Sequence, residues 1–287
     1  MELLTKLLDI FLAFILSFSG GAPSQDADRV DASKDALASP LSVHYIDVGQ
    51  ADSVYISLPD GKTMLIDAGE NEDGHTVVNY IKALGVSSID YLVATHPHAD
   101  HIGGIDDVIN NFDIGTLYMP DAYSNTKTFE SVLDAVENNN VKMVRAKNGV
   151  YICKESDLTI KILSPISTHY DETNDYSAVV RIVYGDTSFL FMGDAEKLVE
   201  RQLISSSEQI SSDVLKVGHH GSSTSSCEQF IKAVSPSLAV ISVGESNSYG
   251  HPHDEVLRRL QGAHIPILRT DLQGTVVVGS DGKNIIY

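Results

Sequence analysis

The sequence predicts an α/β domain in which β-sheets pack face to face and helices cover the outside. From Leu41 onward, short apolar runs typical of strands alternate with stretches of helical periodicity. This happens in two halves, each with several strands and then helices, as expected for sheets stacked around one core. Hydrophobic residues make up 43% of the 287 residues, which supports a substantial core and excludes a disordered chain.

The first half is predicted to contain strands and two helices. A Pro59-Asp60-Gly61 turn separates the second strand from the third, and the first helix ends on Gly85, which suits a helix C-terminus. The predicted strands are 41–49, 52–59, 62–69, 89–96 and 116–120, and the helices are 76–85 and 126–140.

The second half repeats this organisation and finishes with a hairpin. No fixed-period repeat or low-complexity block interrupts it, so residues 41–287 are interpreted as one domain. The predicted strands are 158–165, 177–185, 187–194, 213–221, 238–244, 265–270, 274–282 and 284–287, and the helices are 195–204 and 254–262.

The N-terminal segment has the pattern of a secretory signal. Residues 7–18 form an apolar run that is too short to cross a hydrocarbon core about 30 Å thick, and small residues follow it. We therefore interpret 1–22 as a signal peptide, with an uncleaved membrane anchor as the alternative, and the polar residues 23–40 as a linker. This interpretation predicts a secreted or extracytoplasmic protein.

Composition limits the classes of function. The formal net charge of −19 argues against a broad basic surface for nucleic acid, but not against phosphodiester chemistry at a metal site. Only Cys153 and Cys227 are present, so a disulfide-dense scaffold and a four-cysteine zinc site are excluded. Export would permit a bridge between them, but two thiols are weak support for one.

The strongest functional signal is the segment 95–101 (THPHADH), which directly follows an apolar strand. Imidazole nitrogens and carboxylate oxygens bind Zn²⁺ at about 2.0–2.2 Å, and a tight loop can aim several of them at one point. All four donors cannot reach one tetrahedral ion that keeps an open position. We therefore expect His96 and His98 to share one ion, and Asp100 and His101 to bind a second.

Two metals about 3.5–4 Å apart need a bridging carboxylate from elsewhere in the chain. Asp194 supplies one, because it follows the apolar run 187–193 at a strand end. His219 and His220 end another apolar strand, and one of them would complete the second metal site. In the strand before His96 the first His is the expected ligand, so by analogy we favour His219 and keep His220 as the alternative.

Together these motifs resemble the metallo-β-lactamase superfamily of binuclear hydrolases. More narrowly, their order is similar to that in the hydrolase domain of ComEC-type DNA-uptake proteins and its freestanding relatives. The matching stretches beyond the metal loop are 46–53, 65–70, 174–180, 216–225, 247–257 and 268–276.

The resemblance implies a four-layer αββα sandwich with the metals at the edge between the two sheets. It also implies that Asp67 orients the metal loop, which fits a buried carboxylate that supports a ligating His. The implied metal ligands are His96, His98, Asp100, His101, Asp194 and either His219 or His220.

The sequence departs from the wider superfamily at one point. Many members carry a further His ligand between the metal loop and the bridging Asp, whereas this sequence has Asn174-Asp175-Tyr176-Ser177 there. His169 lies nearby but does not match the pattern and is interpreted as a surface residue. Water would then complete the first metal's coordination beside His96, His98 and Asp194. We expect two divalent ions, Zn²⁺ in first place, with Mn²⁺ able to substitute.

The segment 247–253 (NSYGHPH) holds the last candidates. Asn247 and His251 are candidates to bind a substrate oxyanion or to protonate a leaving alkoxide. The alternative is a turn and capping motif in which Asp254 begins a helix, and this alternative is preferred for His253.

The combined prediction is a metal-dependent hydrolase, a nuclease or phosphodiesterase, in which a metal-bridging hydroxide attacks the phosphodiester. Asp100 would bind the second metal and steer the hydroxide. The substrate would be a phosphoester, with single-stranded DNA as the candidate. The alternatives are a cell-surface phosphorylcholine esterase and a catalytically idle metal-binding module. A β-lactamase is disfavoured, because the matching motifs belong to another branch of the superfamily.

Overall fold

The computed structural model describes residues 34–287 of the chain. The predicted signal or anchor segment, 1–22, and the predicted linker as far as residue 33 lie outside the described residues. Residues 34–37 are helical, and Ala36 is fully buried against Gly279. The last part of the predicted linker therefore packs against the domain.

The secondary structure is numbered here in chain order. The strands are β1 (Leu41–Tyr45), β2 (Val54–Ser57), β3 (Thr63–Ile66), β4 (Ser88–Val93), β5 (Asp113–Met119), β6 (Met143–Arg145), β7 (Tyr151–Lys154), β8 (Leu158–Ile162), β9 (Val180–Tyr184), β10 (Thr187–Phe191), β11 (Val214–Lys216), β12 (Leu238–Ile241), β13 (Ile267–Arg269), β14 (Val276–Ser280) and β15 (Ile285–Ile286). The helices are α1 (Gly74–Ala83), α2 (Ala99–Ile102), α3 (Ile105–Asn111), α4 (Lys127–Asn138), α5 (Lys197–Ser205), α6 (Glu228–Val234), α7 (Asp254–Gly262) and α8 (Thr270–Gln273), with short 3₁₀ turns at Thr173–Tyr176 and Gly218–Gly221.

The strands form two mixed sheets. In the first sheet the order is β15-β14-β1-β2-β3-β4-β5-β6, and the pairs from β3 to β6 are parallel. In the second the order is β13-β12-β11-β10-β9-β8-β7, and the pairs from β10 to β13 are parallel. The carboxyl ends of neighbouring parallel strands lie at the same edge of a sheet, so the loops that follow them leave from one side.

Three apolar layers join the sheets and helices. The central layer lies between the two sheets and includes Ile56 from the first and Phe189 from the second. A second layer lies between the first sheet and its helices, where Val108 of α3 is buried. The third lies between the second sheet and its helices, where Leu203 of α5 is buried. The predicted four-layer αββα sandwich is confirmed.

The register of the parallel strands brings the candidate donors to one edge. In the first sheet Ile66 of β3 pairs with Val93 of β4, so Asp67 lies beside the start of the His-rich loop. In the second sheet Phe191 of β10 pairs with Lys216 of β11. The turn that carries Asp194 therefore lies beside the turn that carries the His pair.

The structure also contains elements that the sequence analysis does not predict. β6 and β7 are short strands at the edges of the two sheets, and their partly exposed side chains lack the apolar run by which strands are recognised. The short helices α2, α3, α6 and α8 are not predicted either. Conversely, the predicted strand 213–221 stops at Lys216, because the Gly218–Gly221 turn follows it.

Two further features concern the predicted export. Among residues 34–287, we find no helix with the length and apolar character needed to cross a membrane. Cys153 and Cys227 are both free thiols.

Two glycines allow the metal loop to pack closely on the loop after β3. A Cβ on Gly103 would lie 2.2 Å from the backbone nitrogen of Asn71, and one on Gly104 would lie 2.4 Å from the carbonyl oxygen of Ala68. Gly103 has an ordinary helical φ of −57°. It is therefore required by the close approach of two backbones, and not by its own conformation.

We expect Gly103→Ala to lower the free energy of unfolding by about 3 kcal/mol, because the added methyl group overpacks against backbone that cannot move aside locally. Gly262→Ala is the matched control, since no atom lies within 4 Å of its built Cβ. That substitution should leave stability unchanged or raise it slightly. Urea unfolding followed by circular dichroism measures both, and equal midpoints for the two variants would contradict the packing argument.

Candidate metal centre

The candidate metal centre lies at the edge where the loops after the parallel strands meet. Its donors come from the loop after β4, the turn after β10 and the Gly218–Gly221 turn after β11. Main-chain hydrogen bonds hold these loops in place. His219 N–H donates to the Gly193 carbonyl at 3.0 Å, which joins the turns after β10 and β11, and Asp52 N–H in the loop after β1 donates to the Asp100 carbonyl at 3.0 Å. The backbone therefore sets the relative positions of the donors.

Asp67 holds the His-rich loop. It is buried and has a left-handed φ of 59°, a conformation that Asp adopts more readily than most residues. Its Oδ1 accepts the Thr95 N–H at 2.8 Å, and its Oδ2 accepts the Thr95 hydroxyl at 2.7 Å. His101 Nδ1 lies 2.8 Å from the same Oδ2. With Nδ1 donating to Asp67, the Nε2 of His101 is left to face the centre.

Four side chains form the group that we call the Asp100 set: Asp100, His101, Asp194 and His220. One ligand atom from each lies within 4.8 Å of the others. His101 Nε2 is 3.2 Å from Asp194 Oδ1, and His220 Nε2 is 3.4 Å from Asp100 Oδ2. His101 Nε2, Asp194 Oδ1 and His220 Nε2 are buried without a hydrogen-bond partner. Buried polar atoms normally have partners, so this convergence of donors fits a divalent cation.

His96 and His98 face each other beside this set. His96 Nε2 lies 3.1 Å from His98 Nδ1. Two nitrogens that share a tetrahedral Zn²⁺ lie about 3.3 Å apart, so the spacing fits a common ion. The other ring nitrogen of His96 lies 3.1 Å from the Thr95 hydroxyl. The spacing between His96 and His98 equally suits a hydrogen bond between the two rings, and neither residue belongs to the Asp100 set.

His219 and His220 flank Asp194 on different oxygens. Both have left-handed φ values, 51° and 50°. His220, the alternative of the two in the sequence analysis, is the one that joins the Asp100 set. The favoured residue, His219, has its Nε2 3.7 Å from Asp194 Oδ2. Its Nδ1 lies 3.2 Å from Glu196 Oε1 and 3.1 Å from the Thr224 hydroxyl.

A buried ion pair supports His220 from behind. Lys216 Nζ donates to Asp52 Oδ2, and both side chains are buried. His220 Nδ1 lies 3.0 Å from the Ser242 carbonyl and 3.4 Å from Asp52 Oδ1. Donation from Nδ1 to the Ser242 carbonyl leaves Nε2 for the centre. The sequence analysis does not single out Asp52 or Lys216, although both lie in stretches that match the resembled family.

Asp52, Asp67 and His101 also lie close together, as a metal-binding group would. Lys216 already neutralises Asp52, and His101 already donates to Asp67. The protein itself therefore supplies partners for the carboxylates of this buried group.

The centre stabilises positive charge. Burial alone would lower the pKa of His220, but Asp194 and Asp52 raise it to about 10. Burial would likewise raise the pKa of Asp194, but His101 and His220 hold it well below its usual range. The same carboxylates would favour a divalent cation that replaces the protons on these imidazole rings.

Asn247 lies in the loop between β12 and α7 and closes that loop on itself. Its Nδ2 donates to the Gly244 carbonyl at 2.9 Å and to the His251 carbonyl at 2.6 Å. Its Oδ1 accepts the His251 N–H at 3.0 Å. Both ends of the amide are thus bonded to backbone, which supports a positioning role in place of the predicted contact with substrate.

His251 lies against the centre. Its ring stacks on His220 with centroids 6.4 Å apart and an interplanar angle of 22°. Gln50 Nε2 lies 3.3 Å from His251 Nδ1, and Gln50 Oε1 accepts the Gly244 N–H at 3.1 Å. With Gln50 donating to Nδ1, the ring carries its proton on Nε2. Burial and the neighbouring His219 lower the pKa of His251 to about 4, so the ring is neutral near pH 7.

Asn174 lies in the region where many superfamily members carry a further His ligand. Its Nδ2 lies 3.4 Å from His219 Nδ1 and 3.3 Å from Glu196 Oε1, and its Oδ1 is buried without a hydrogen-bond partner. His169 has a side chain that is 80% exposed, as predicted for a surface residue.

The chain is similar to several known proteins. The sequence profile of the metallo-beta-lactamase superfamily matches residues 46–245, more than half of the chain. The chain is 34% identical over 257 residues to ComE operon protein 3 of Bacillus subtilis (strain 168), an alignment that covers 84% of this chain and 33% of that protein. It therefore spans about one third of the length of this relative.

Two more distant relatives extend the comparison. A ribonuclease Z of Clostridium botulinum (strain Alaska E43 / Type E3) is 27% identical over 135 residues, which cover 39% of each chain. The solved structure of a metallo hydrolase from the archaeon Ignicoccus hospitalis has a TM-score of 0.53 at 17% identity, covering 82% of this chain and 98% of that one. At this low identity, the similarity to the Ignicoccus structure shows a shared fold only. On the match over residues 46–245 and the identity to the Bacillus relative, the chain belongs to the metallo-beta-lactamase superfamily.

Proposed function

We propose that the chain is a phosphodiesterase that uses two divalent metal ions. The observation that carries this proposal is the position of Asp194, whose two carboxylate oxygens face separate sets of imidazole nitrogens. Oδ1 lies near His101 and His220, and Oδ2 lies near His219. A carboxylate in this position can bridge two ions, as binuclear hydrolysis requires.

In this proposal the donors divide into two groups around Asp194. The Asp100 set would hold one ion. His96, His98 and His219 would hold the other, together with the second oxygen of Asp194. His219 would thereby take the place of the further His that this sequence lacks before Asp194. Zn²⁺ suits such nitrogen-rich groups, and Mn²⁺ is the alternative.

Divalent ions bound there would supply a water of lowered pKa and would neutralise charge on phosphoryl oxygens. The chain's own residues would orient the attacking water and stabilise the leaving oxygen. The side chain of Asp100 is 29% exposed, whereas that of Asp194 is 2% exposed. Asp100 would therefore orient the attacking water through a hydrogen bond. His251 would donate a hydrogen bond from its neutral Nε2–H to the leaving oxygen, and water would supply the proton that the alkoxide takes up. Gln50 and Asn247 would keep His251 in place for this step.

The substrate class is proposed from the relatives. Ribonuclease Z is by name an enzyme that cleaves RNA, and the motifs resemble those of ComEC-type DNA-uptake proteins. We therefore propose single-stranded DNA as the substrate, cleaved outside the cytoplasm as the pattern of residues 1–22 predicts. The net charge of −19 means that binding would be local to the metal centre and not spread over a basic surface.

We expect the purified protein to hydrolyse bis-p-nitrophenyl phosphate and single-stranded DNA. EDTA should abolish both activities, and added Zn²⁺ or Mn²⁺ should restore them, because the ions activate the attacking water. A panel assay with these substrates, p-nitrophenyl phosphorylcholine and nitrocefin measures the outcome. Turnover of the choline ester without DNA would replace the proposal with a phosphorylcholine esterase, and nitrocefin cleavage would replace it with a β-lactamase. Bound metal without any turnover would identify an idle metal-binding module.

Removing donors should change the number of bound ions. We expect His98→Ala to retain only the ion of the Asp100 set, and Asp194→Ala to retain neither ion firmly, with near-total loss of turnover in both. His75→Ala is the control, since this His is exposed on α1 and should leave two ions bound. Elemental analysis of dialysed protein measures the stoichiometry. Two tightly bound ions in Asp194→Ala would exclude its bridging role.

Asp67→Asn should weaken metal binding by about 10- to 100-fold, because an amide nitrogen facing His101 Nδ1 cannot accept its proton. The substitution is isosteric, so the buried loop keeps its packing. Competition with a chromogenic chelator measures the affinity. Asp171→Asn is the matched control, since its carboxylate is 99% exposed. Equal affinities in the two variants would mean that Asp67 does not orient His101.

A further inference from the structure

Tyr249 is a large aromatic side chain that is 68% exposed beside the metal centre. Its ring stacks on His251 with centroids 5.7 Å apart and an interplanar angle of 21°. His251 stacks in turn on His220, at 6.4 Å and 22°. The three rings thus form a row that begins at a candidate metal ligand and ends in solvent.

The turn that carries Tyr249 is held by hydrogen bonds and not by core packing. The amide of Asn247 bonds to both Gly244 and His251, which closes the loop around Tyr249. Ser246 and Gly250 have left-handed φ values of 53° and 72°, as a tight turn requires. Tyr249 is therefore presented in a defined orientation although its ring contributes little to the core.

We propose that Tyr249 is a stacking platform for a nucleobase that neighbours the scissile phosphate, an inference that rests on the phosphodiesterase function proposed above. His251 covers one face of the tyrosine ring, and the exposure of the side chain leaves the opposite face open. Proteins that bind single strands stack bases on such open aromatic faces, without regard to sequence. Two ring contacts connect His220 to Tyr249, and a base on the open face of Tyr249 would add a third.

The geometry favours a flat ring over a choline group. A quaternary ammonium is typically enclosed by several aromatic faces. Among residues 34–287, the ring contact that the structure shows for Tyr249 is the stack with His251. A single open face suits a planar, uncharged base. The imidazole of His251 lies nearly parallel to the opposite face of the tyrosine ring.

The test compares two esters that share a leaving group and differ in the nucleoside. These are thymidine 5′-(p-nitrophenyl phosphate) and methyl p-nitrophenyl phosphate. A third substrate, p-nitrophenyl phosphorylcholine, tests the choline alternative. For Tyr249→Ala we expect the ratio of kcat/KM for the thymidine ester to that for the methyl ester to fall about 5- to 100-fold, the range that base stacking supports. The loss should lie in KM, since the ring does not touch the reacting atoms.

Two variants control the comparison. Tyr249→Phe keeps the ring and should keep the wild-type ratio, whereas Tyr287→Ala removes an exposed tyrosine at the end of the chain and should also keep it. An unchanged ratio in Tyr249→Ala, with wild-type turnover of both esters, would overturn the platform and leave the phosphodiesterase standing. A selective loss on the choline ester would overturn it in favour of a choline site. Failure of the wild-type protein to cleave any of the esters would instead remove the phosphodiesterase on which the inference rests.

Discussion

The buried carboxylate of Asp194 is the constraint on which the site depends. An ionised carboxylate out of water costs several kcal/mol unless it is paired and hydrogen-bonded. Here His101 and His219 lie on its two oxygens, and its own N–H donates to the Ser177 hydroxyl at 3.0 Å. Those imidazoles are themselves buried or half-buried, so each needs a further acceptor behind it. A further chain of partners runs from Asp194 through His220 and Asp52. It ends at Lys216, whose ammonium neutralises Asp52. Removing one member leaves the next one buried without a partner.

The two sheets hold the strained backbone of this cluster in place. Asp67, His219 and His220 have left-handed backbone, which costs of order 1–3 kcal/mol per residue and persists only where the surroundings enforce it. Each of these residues follows a strand whose side chains are buried in the sandwich. The strained turns are therefore held by strands with extensive apolar contacts. Because they follow parallel strands in register, their side chains reach one edge without long loops.

The sequence is informative where a donor follows an apolar strand within a few residues. His96, His98 and Asp194 stand out for this reason, and the αββα order follows from the alternation of strands and helices. Local sequence does not show which of two adjacent side chains faces the site, because that depends on the backbone conformation of the turn. The analogy with the strand before His96 favours His219 for the Asp100 set, but two consecutive left-handed residues turn His220 into that set and His219 to the other oxygen of Asp194.

Partners far apart in the chain are equally hidden. Asp52 and Lys216 are separated by 164 positions, and each alone resembles a surface charge. An amide such as that of Asn247 reads as a substrate contact until its bonds to its own loop are seen. Pairing of this kind depends on which residues the fold buries together, and local spacing carries no information about it.

The acidity of the chain bears on how it would handle an anionic polymer. At physiological ionic strength, charges further apart than about 8 Å are largely screened, so the net charge matters less than the potential within the site. In the proposed function, two divalent ions would reverse the sign of the charge at the site that contains Asp100 and Asp194. Beyond that site, the proposed function calls for contacts with a strand that carry no charge. Stacking on the open face of Tyr249 is such a contact, since it depends on the ring faces and not on the phosphates. A binuclear centre and a neighbouring aromatic ring together would allow an acidic protein to bind a nucleic-acid strand without a basic surface.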